Sequence, residues 1–139
     1  TVPVWGPHAD DGYLLESLPQ TTASYASYGF PIAEAFVPDG WLSEGGKLKV
    51  GAYEFDVLHI PGHTPGHVVF YCAAEKLLIA GDVLFYESIG RTDFPRGNHA
   101  DLISNITGKL LVLPEDTRVI PGHGRMTTIG HEKRHNPFL

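Results

Sequence analysis

The stretch Val57-Leu58-His59-Ile60-Pro61-Gly62-His63-Thr64-Pro65-Gly66-His67 decides how this chain is read. A largely apolar run ends in Pro-Gly, so a strand stops at a tight turn that delivers His63 just beyond its C-terminal end. The arrangement recurs at Val119-Ile120-Pro121-Gly122-His123, and Leu77-Leu78-Ile79-Ala80 runs into Gly81-Asp82. Three strand ends therefore carry His63, Asp82 and His123, and layered α/β folds gather functional groups at such ends. Where those ends share one edge, two imidazoles and a carboxylate meet, a donor set suited to zinc, iron or manganese. A histidine at a strand end also serves as a hydrogen-bonded structural group, and the residues alone leave both readings open.

Outward from this stretch, Lys47 to Val50 and Tyr53 to Ile60 alternate apolar with polar around Gly51-Ala52, the pattern of a hairpin. His67 to Cys72 and Lys76 to Ala80 form a second pair around Ala73-Ala74-Glu75. They are nearly continuous in apolar residues, as strands covered on both faces are. Val2 to Trp5 reads as a short strand closed by Gly6-Pro7. A helix follows from Asp10 and Asp11 to Leu18, with Pro19 as its stop. Residues 20–31 carry no period and read as a loop, as does the stretch from Asp82 to Gly97. Leu102, Ile103, Ile106, Leu110, Leu111 and Leu113 then recur at helical spacing behind a cap at Asn98 or His99. Thr117 to Ile120 is a last strand and Gly130 to Arg134 a last helical turn. The order predicts an α/β layered domain with no internal boundary.

The chain has 139 residues, with 10 Lys and Arg against 16 Asp and Glu, a net charge of −6. Nucleic-acid and anionic-membrane binding usually need a basic face, so neither is expected as the main task. No apolar run approaches the roughly 18 residues of a membrane span. The single cysteine, Cys72, excludes an internal disulfide and a Cys-x-x-Cys site. A reducing, cytoplasmic setting is expected. The opening Thr-Val-Pro-Val-Trp has no charged region or apolar core of a signal peptide.

Taken in order, Pro61-Gly62-His63-Thr64-Pro65-Gly66-His67, Ala80-Gly81-Asp82 and Ile120-Pro121-Gly122-His123-Gly124 resemble the later metal motifs of metallo-β-lactamase-fold hydrolases. Gly90-Arg91-Thr92-Asp93-Phe94 and the ending Thr127 to Phe138 narrow the resemblance to the glyoxalase II-like, or hydroxyacylglutathione hydrolase-like, branch. It runs from about Val2 to the end. It implies the C-terminal portion of a four-layer αββα sandwich, with a mostly antiparallel or mixed sheet and flanking helices. His63 is then a ligand of one divalent metal, His123 of a second, and Asp82 the carboxylate bridging both. Zinc is the first choice of metal, with iron or manganese as alternatives. His67 is expected to support the ligands rather than to bind. Arg91 and Arg96 are candidates for receiving a substrate carboxylate, and Tyr25, Tyr28 and Phe30 for walling the site. His59 is expected to be a core or face histidine, His99 a helix start, and His8, His131 and His135 solvated surface groups.

The branch's Thr-His-x-His-x-Asp-His motif is absent from these 139 residues. The expectation is an incomplete single domain, the C-terminal part of a longer enzyme, in which each metal has two protein ligands where catalytic zinc keeps three. Metal binding by this chain alone is then weak or absent, and apolar surface is left open to self-association. The resemblance implies metal-dependent hydrolysis of glutathione-type thioesters by the intact parent. Two alternatives stand beside it: an iron-dependent persulfide dioxygenase, which Gly90 to Phe94 also resembles, and a non-catalytic folded remnant or interaction module.

Overall fold

Side chains of a strand alternate between its faces, so a run with apolar residues at every second position folds onto a core. In a computed structural model that describes all residues, Thr1–Leu139, this rule builds a central sheet. In chain order the strands are β1 (Trp5–His8), β2 (Gly40–Leu42), β3 (Lys47–Val50), β4 (Tyr53–His59), β5 (Val68–Cys72), β6 (Leu77–Gly81), β7 (Leu84–Phe85), β8 (Ser88–Ile89), β9 (Arg118–Pro121) and β10 (Thr127–Thr128). The α-helices are α1 (Gly12–Glu16), α2 (Leu18–Ala23), α3 (His99–Asn105) and α4 (Ile129–His135). Six strands form one mixed sheet in the order β10-β9-β6-β5-β4-β3. Neighbours are antiparallel except β6 and β9, which run parallel. Two reversals separate β4 from β6, so β4, β6 and β9 all point the same way. Their C-terminal ends lie on one edge of the sheet.

One face of the sheet carries the core. Val69, Tyr71, Leu78, Ala80 and Val119 pack against Leu102, Ile106 and Leu110 of the long helical segment and Ile129 of α4. Asn98 caps α3, its Oδ1 accepting from the Asp101 amide at 3.0 Å. Past Asn105 the helix widens into a π turn, Ile106–Leu110, which holds both Ile106 and Leu110 in the core. The other face is covered at Val57, which is fully buried beside Gly46, and is open around it. Leu48, Val50, Phe55, Phe70 and Ile79 line a wholly apolar hollow of about 270 Å³, and Ile79 is 39% exposed. Double coverage of β5 and β6 is therefore not found within this chain: Phe70 and Ile79 pair across strands on the open face, Tyr71 and Leu78 on the packed one. No helix is long and apolar enough to cross a membrane.

Several local readings change. Pro19 does not end a helix but sits in the first turn of α2, where its missing N–H costs nothing. The stretch 20–31 accordingly contains the rest of α2 and a 3-10 turn, Ala26–Tyr28. Trp5–His8 continues through Gly6-Pro7 as a strand parallel to β2, with an irregular register between Trp5 and His8. The segment after Asp82 contains the small β7-β8 hairpin.

Leu102 is fully buried where the helix meets the sheet. Leu102→Ala should lower folding stability by about 2–5 kcal/mol in chemical denaturation, the range for a large buried aliphatic truncated to alanine.

Candidate metal centre

Three strands pointing the same way deliver the three expected side chains. His63 follows β4 by one turn, Asp82 follows β6 directly, and His123 lies two residues beyond β9. Gly81 pairs with Pro121 in the parallel ladder, and the Gly122 amide donates to the Gly81 carbonyl at 2.7 Å. A Cβ on Gly122 would stand 2.5 Å from Asp82 Oδ1, so only glycine lets this turn close on the carboxylate.

The Asp82 carboxylate lies between the two imidazoles. Its Oδ1 is 3.0 Å from His123 Nδ1 and its Oδ2 is 3.7 Å from His63 Nε2. Each oxygen thus faces a different ring, which is the disposition of a shared ligand rather than of a single triad. His63 Nδ1 lies 2.8 Å from the Arg91 carbonyl, so Nδ1–H donates there and the Nε2 lone pair turns toward Asp82. His63 is largely buried, whereas the His123 side chain is 78% exposed. Imidazole and carboxylate donors placed around a gap that Gly122 keeps clear fit divalent cations in their chemistry.

His67 supports this arrangement from below. Its Nε2 accepts from the Asp82 amide at 3.1 Å, and Nδ1 is buried without a partner. Gly81, at φ +50°, leaves the space the His67 ring fills; a Cβ there would meet the ring at 2.7 Å. Burial, and then repulsion from His63, pushes the His67 pKa below its ordinary value.

Asp11, which reads in sequence as a helix-start acid, does something else. Its buried carboxylate accepts from Thr64 Oγ1 at 2.7 Å and from the Gly66 amide at 2.6 Å, clamping the loop that carries His63 and His67. Glu132 does the same for the segment beyond Asp82: fully buried, it accepts from Thr127 Oγ1, the Glu87 amide and Asn136 Nδ2 at 2.6–2.9 Å. Nothing local marks Asp11, whose partners lie more than fifty residues along the chain; Glu132 has two near partners, Thr127 and Asn136, and only the Glu87 amide is distant.

A cavity of about 510 Å³ opens beside His63, walled by Tyr13, Leu14, Phe94 and Pro95 and edged by Arg96. The two candidate arginines part company here. Arg91 forms a fork with Asp93, at 2.7 and 2.8 Å, over the Phe94 ring. Arg96 stacks on Tyr13 at 3.9 Å with no carboxylate partner. Burial and the Asp11 charge raise the Tyr13 pKa, and Arg96 opposes them. Tyr25 and Phe30 line a separate hollow with Thr22 and Pro31 and do not wall this cavity.

The remaining histidines are more engaged than a solvated surface predicts. His8 stacks on His59, centroids 3.9 Å apart and planes within 5°, and Asp10 lies 3.5 Å from His8 Nδ1. These three place donor atoms close together. Parallel rings, however, direct their lone pairs in two separate planes, so one cation cannot lie in both. His59 Nε2 is also committed to the Pro65 carbonyl at 2.7 Å. The stack joins β1 to β4. His131 stacks on Tyr86 and binds Glu87 Oε1 at 2.9 Å. His135 is exposed, and His99 opens α3 as expected.

The Metallo-beta-lactamase superfamily pattern matches residues 1–123. The chain is 50% identical over 139 residues to "Hydroxyacylglutathione hydrolase GloC" of Haemophilus influenzae, covering 99% of this chain and 64% of that protein. Among solved structures it is similar to BLEG-1 B3 metallo-beta-lactamase, with TM-score 0.83 and 44% identity over 99% of this chain and 65% of that one. It is also similar to TTHA1623 in a di-iron-bound form, with TM-score 0.81, 39% identity and the same coverage. The chain thus spans just under two thirds of the length of each.

Because the folded state holds His67 neutral, the unfolded state binds the extra proton as pH falls. Stability from this group is full above about pH 6.5 and declines below it. Thermal melts across about pH 5–8 should show this decline, and His67→Gln should flatten it relative to the unsubstituted chain.

Proposed function

The chain belongs to the metallo-beta-lactamase superfamily, and from that membership we propose that it is the metal-centre part of a hydrolase of glutathione-type thioesters. The observation that carries this reading is the Asp82 carboxylate, one oxygen toward His63 and the other toward His123. In this reading His63 and Asp82 would hold one divalent cation and His123 and Asp82 a second, zinc first, iron or manganese as alternatives. Divalent cations bound by these residues would supply Lewis acidity toward a carbonyl oxygen and toward water. The GloC name supports the thioester, and the di-iron neighbour keeps iron among the metals.

This chain's own residues do the positioning. The Arg91 carbonyl fixes the His63 tautomer, and His67 holds the backbone of Asp82. The body of a glutathione thioester fits the apolar-walled cavity beside His63, where Arg96 has donors free for a substrate carboxylate. Arg91 is already neutralised by Asp93 and is the weaker candidate. No acid lines the cavity, which suits a thiolate leaving group that departs without a strong proton donor. Three donor residues shared by two cations leave each with two, against the three that catalytic zinc usually keeps. The proposal therefore takes the remaining ligands from outside these 139 residues, in a cytoplasmic parent, and expects this chain alone to bind metal weakly and not to turn over.

In a longer polypeptide carrying this sequence, Asp82→Asn should cut kcat/KM for a glutathione thioester by more than about 100-fold, beyond what a supporting residue costs. Arg96→Ala should raise KM with kcat nearly unchanged. Oxygen uptake with glutathione persulfide, in place of thioester cleavage, assigns the dioxygenase instead. Neither activity leaves a folded, non-catalytic module.

A further inference from the structure

We propose that a second site, whose phosphate-binding residues include none of His63, Asp82 and His123, binds a phosphate group between Arg118 and Arg125. The chain carries a net charge of −6, and most of its cations are paired. Lys49, Arg96, Arg118 and Arg125 have no carboxylate within ion-pair reach. Arg118 and Arg125 both line one cavity of about 340 Å³ where β9, β10 and α4 meet. Neither guanidinium donates a hydrogen bond within the protein, so both forks are free for a ligand.

The cavity is organised before any ligand arrives. Arg125 lies over the Tyr86 ring at 4.1 Å, and His131 stacks on the same ring at 4.9 Å, within 17° of parallel. Glu87 holds His131 in place at 2.9 Å, and this hydrogen bond draws the Glu87 pKa below its usual range. A stacked guanidinium loses little freedom on binding an anion. Arg118 is placed by the β9-β10 ladder, where it pairs with Thr128. Both arginines are exposed, so the attraction is moderate and sensitive to salt.

Two forks on one cavity select the shape of the anion. A carboxylate has two oxygens and is satisfied by one guanidinium, whereas a phosphate dianion has oxygens enough for both. A phosphate monoester also has room for its organic body. A neighbouring hollow of about 400 Å³ shares Tyr86 and Arg125 and extends to His123 and Gly124. The ligand class is thus a small phosphate monoester or inorganic phosphate, and this site stands whether or not the thioester reading does.

The test is calorimetric titration of the metal-free full chain with inorganic phosphate, phosphoserine and acetate at low ionic strength. Saturable phosphate binding is expected, weakened at least about tenfold by Arg118→Ala and by Arg125→Ala, and only partly by the lysine variants. Asp82→Asn should leave it unchanged. Phosphoserine binding more tightly than phosphate assigns a monoester, and equal binding assigns the free ion. No saturable phosphate binding, binding that survives both alanine variants together, acetate binding as tightly, or loss on Asp82→Asn each overturns the proposal. Circular dichroism of each variant, whose replaced side chain is exposed, separates loss of the site from loss of the fold.

Discussion

One carboxylate placed between two imidazoles is the constraint around which this molecule is organised. Asp82 can face His63 and His123 together only because β4, β6 and β9 run in the same direction and end on one edge. An antiparallel β9 would carry His123 to the far edge of the sheet. The parallel pairing of β6 with β9 is reached through the long helical segment between them, whose Leu102, Ile106 and Leu110 also supply much of the core. The element that makes the crossover possible thus also holds the sheet it serves.

Around that carboxylate the chain contributes order mostly through its backbone and buried polar groups. The Arg91 carbonyl sets one imidazole, His67 grips the Asp82 amide, and Asp11 ties down the loop that bears both histidines. Glu132 plays the matching part under the hairpin that follows Asp82. Buried acids of this kind are costly unless fully hydrogen-bonded, and both are. The rigidity they impose reduces the reorganisation needed when cations or substrate arrive. The open apolar hollow lies on the side of the sheet away from this core, where Ile79 is exposed and Phe70 half-buried.

What could be read from sequence was whatever repeats or has a period. The Pro-Gly-His turns at Pro61 and Pro121 announce where strands stop, and the alternation from Tyr53 to His59 announces a strand, although its apolar set, Phe55 and Val57, lies on the face of Phe70 and Ile79 and not on the core face. The apolar spacing around Leu102 marks the helix, though not its widening into a π turn. Two-residue strands such as Leu84–Phe85 and Thr127–Thr128 are too short to carry a period and were hidden. Pro19 misleads because the same residue that ends one helix suits the first turn of another. Asp11 was illegible as an organiser because a hydrogen bond to a residue such as Gly66 leaves no local trace, and the same holds for the bond from the Glu87 amide to Glu132. The uncovered faces of β5 and β6 were missed for a different reason: an apolar run states that a surface avoids water, not what covers it.

The central claim is that Asp82 is shared by two metal sites. The most direct measurement is anomalous X-ray scattering from crystals of a longer polypeptide carrying this sequence, grown with zinc or iron. Two peaks are expected beside Asp82, one nearest His63 and the other nearest His123. A single peak on Asp82 with one of these histidines turned away, or density at His8, Asp10 and His59 instead, would contradict it.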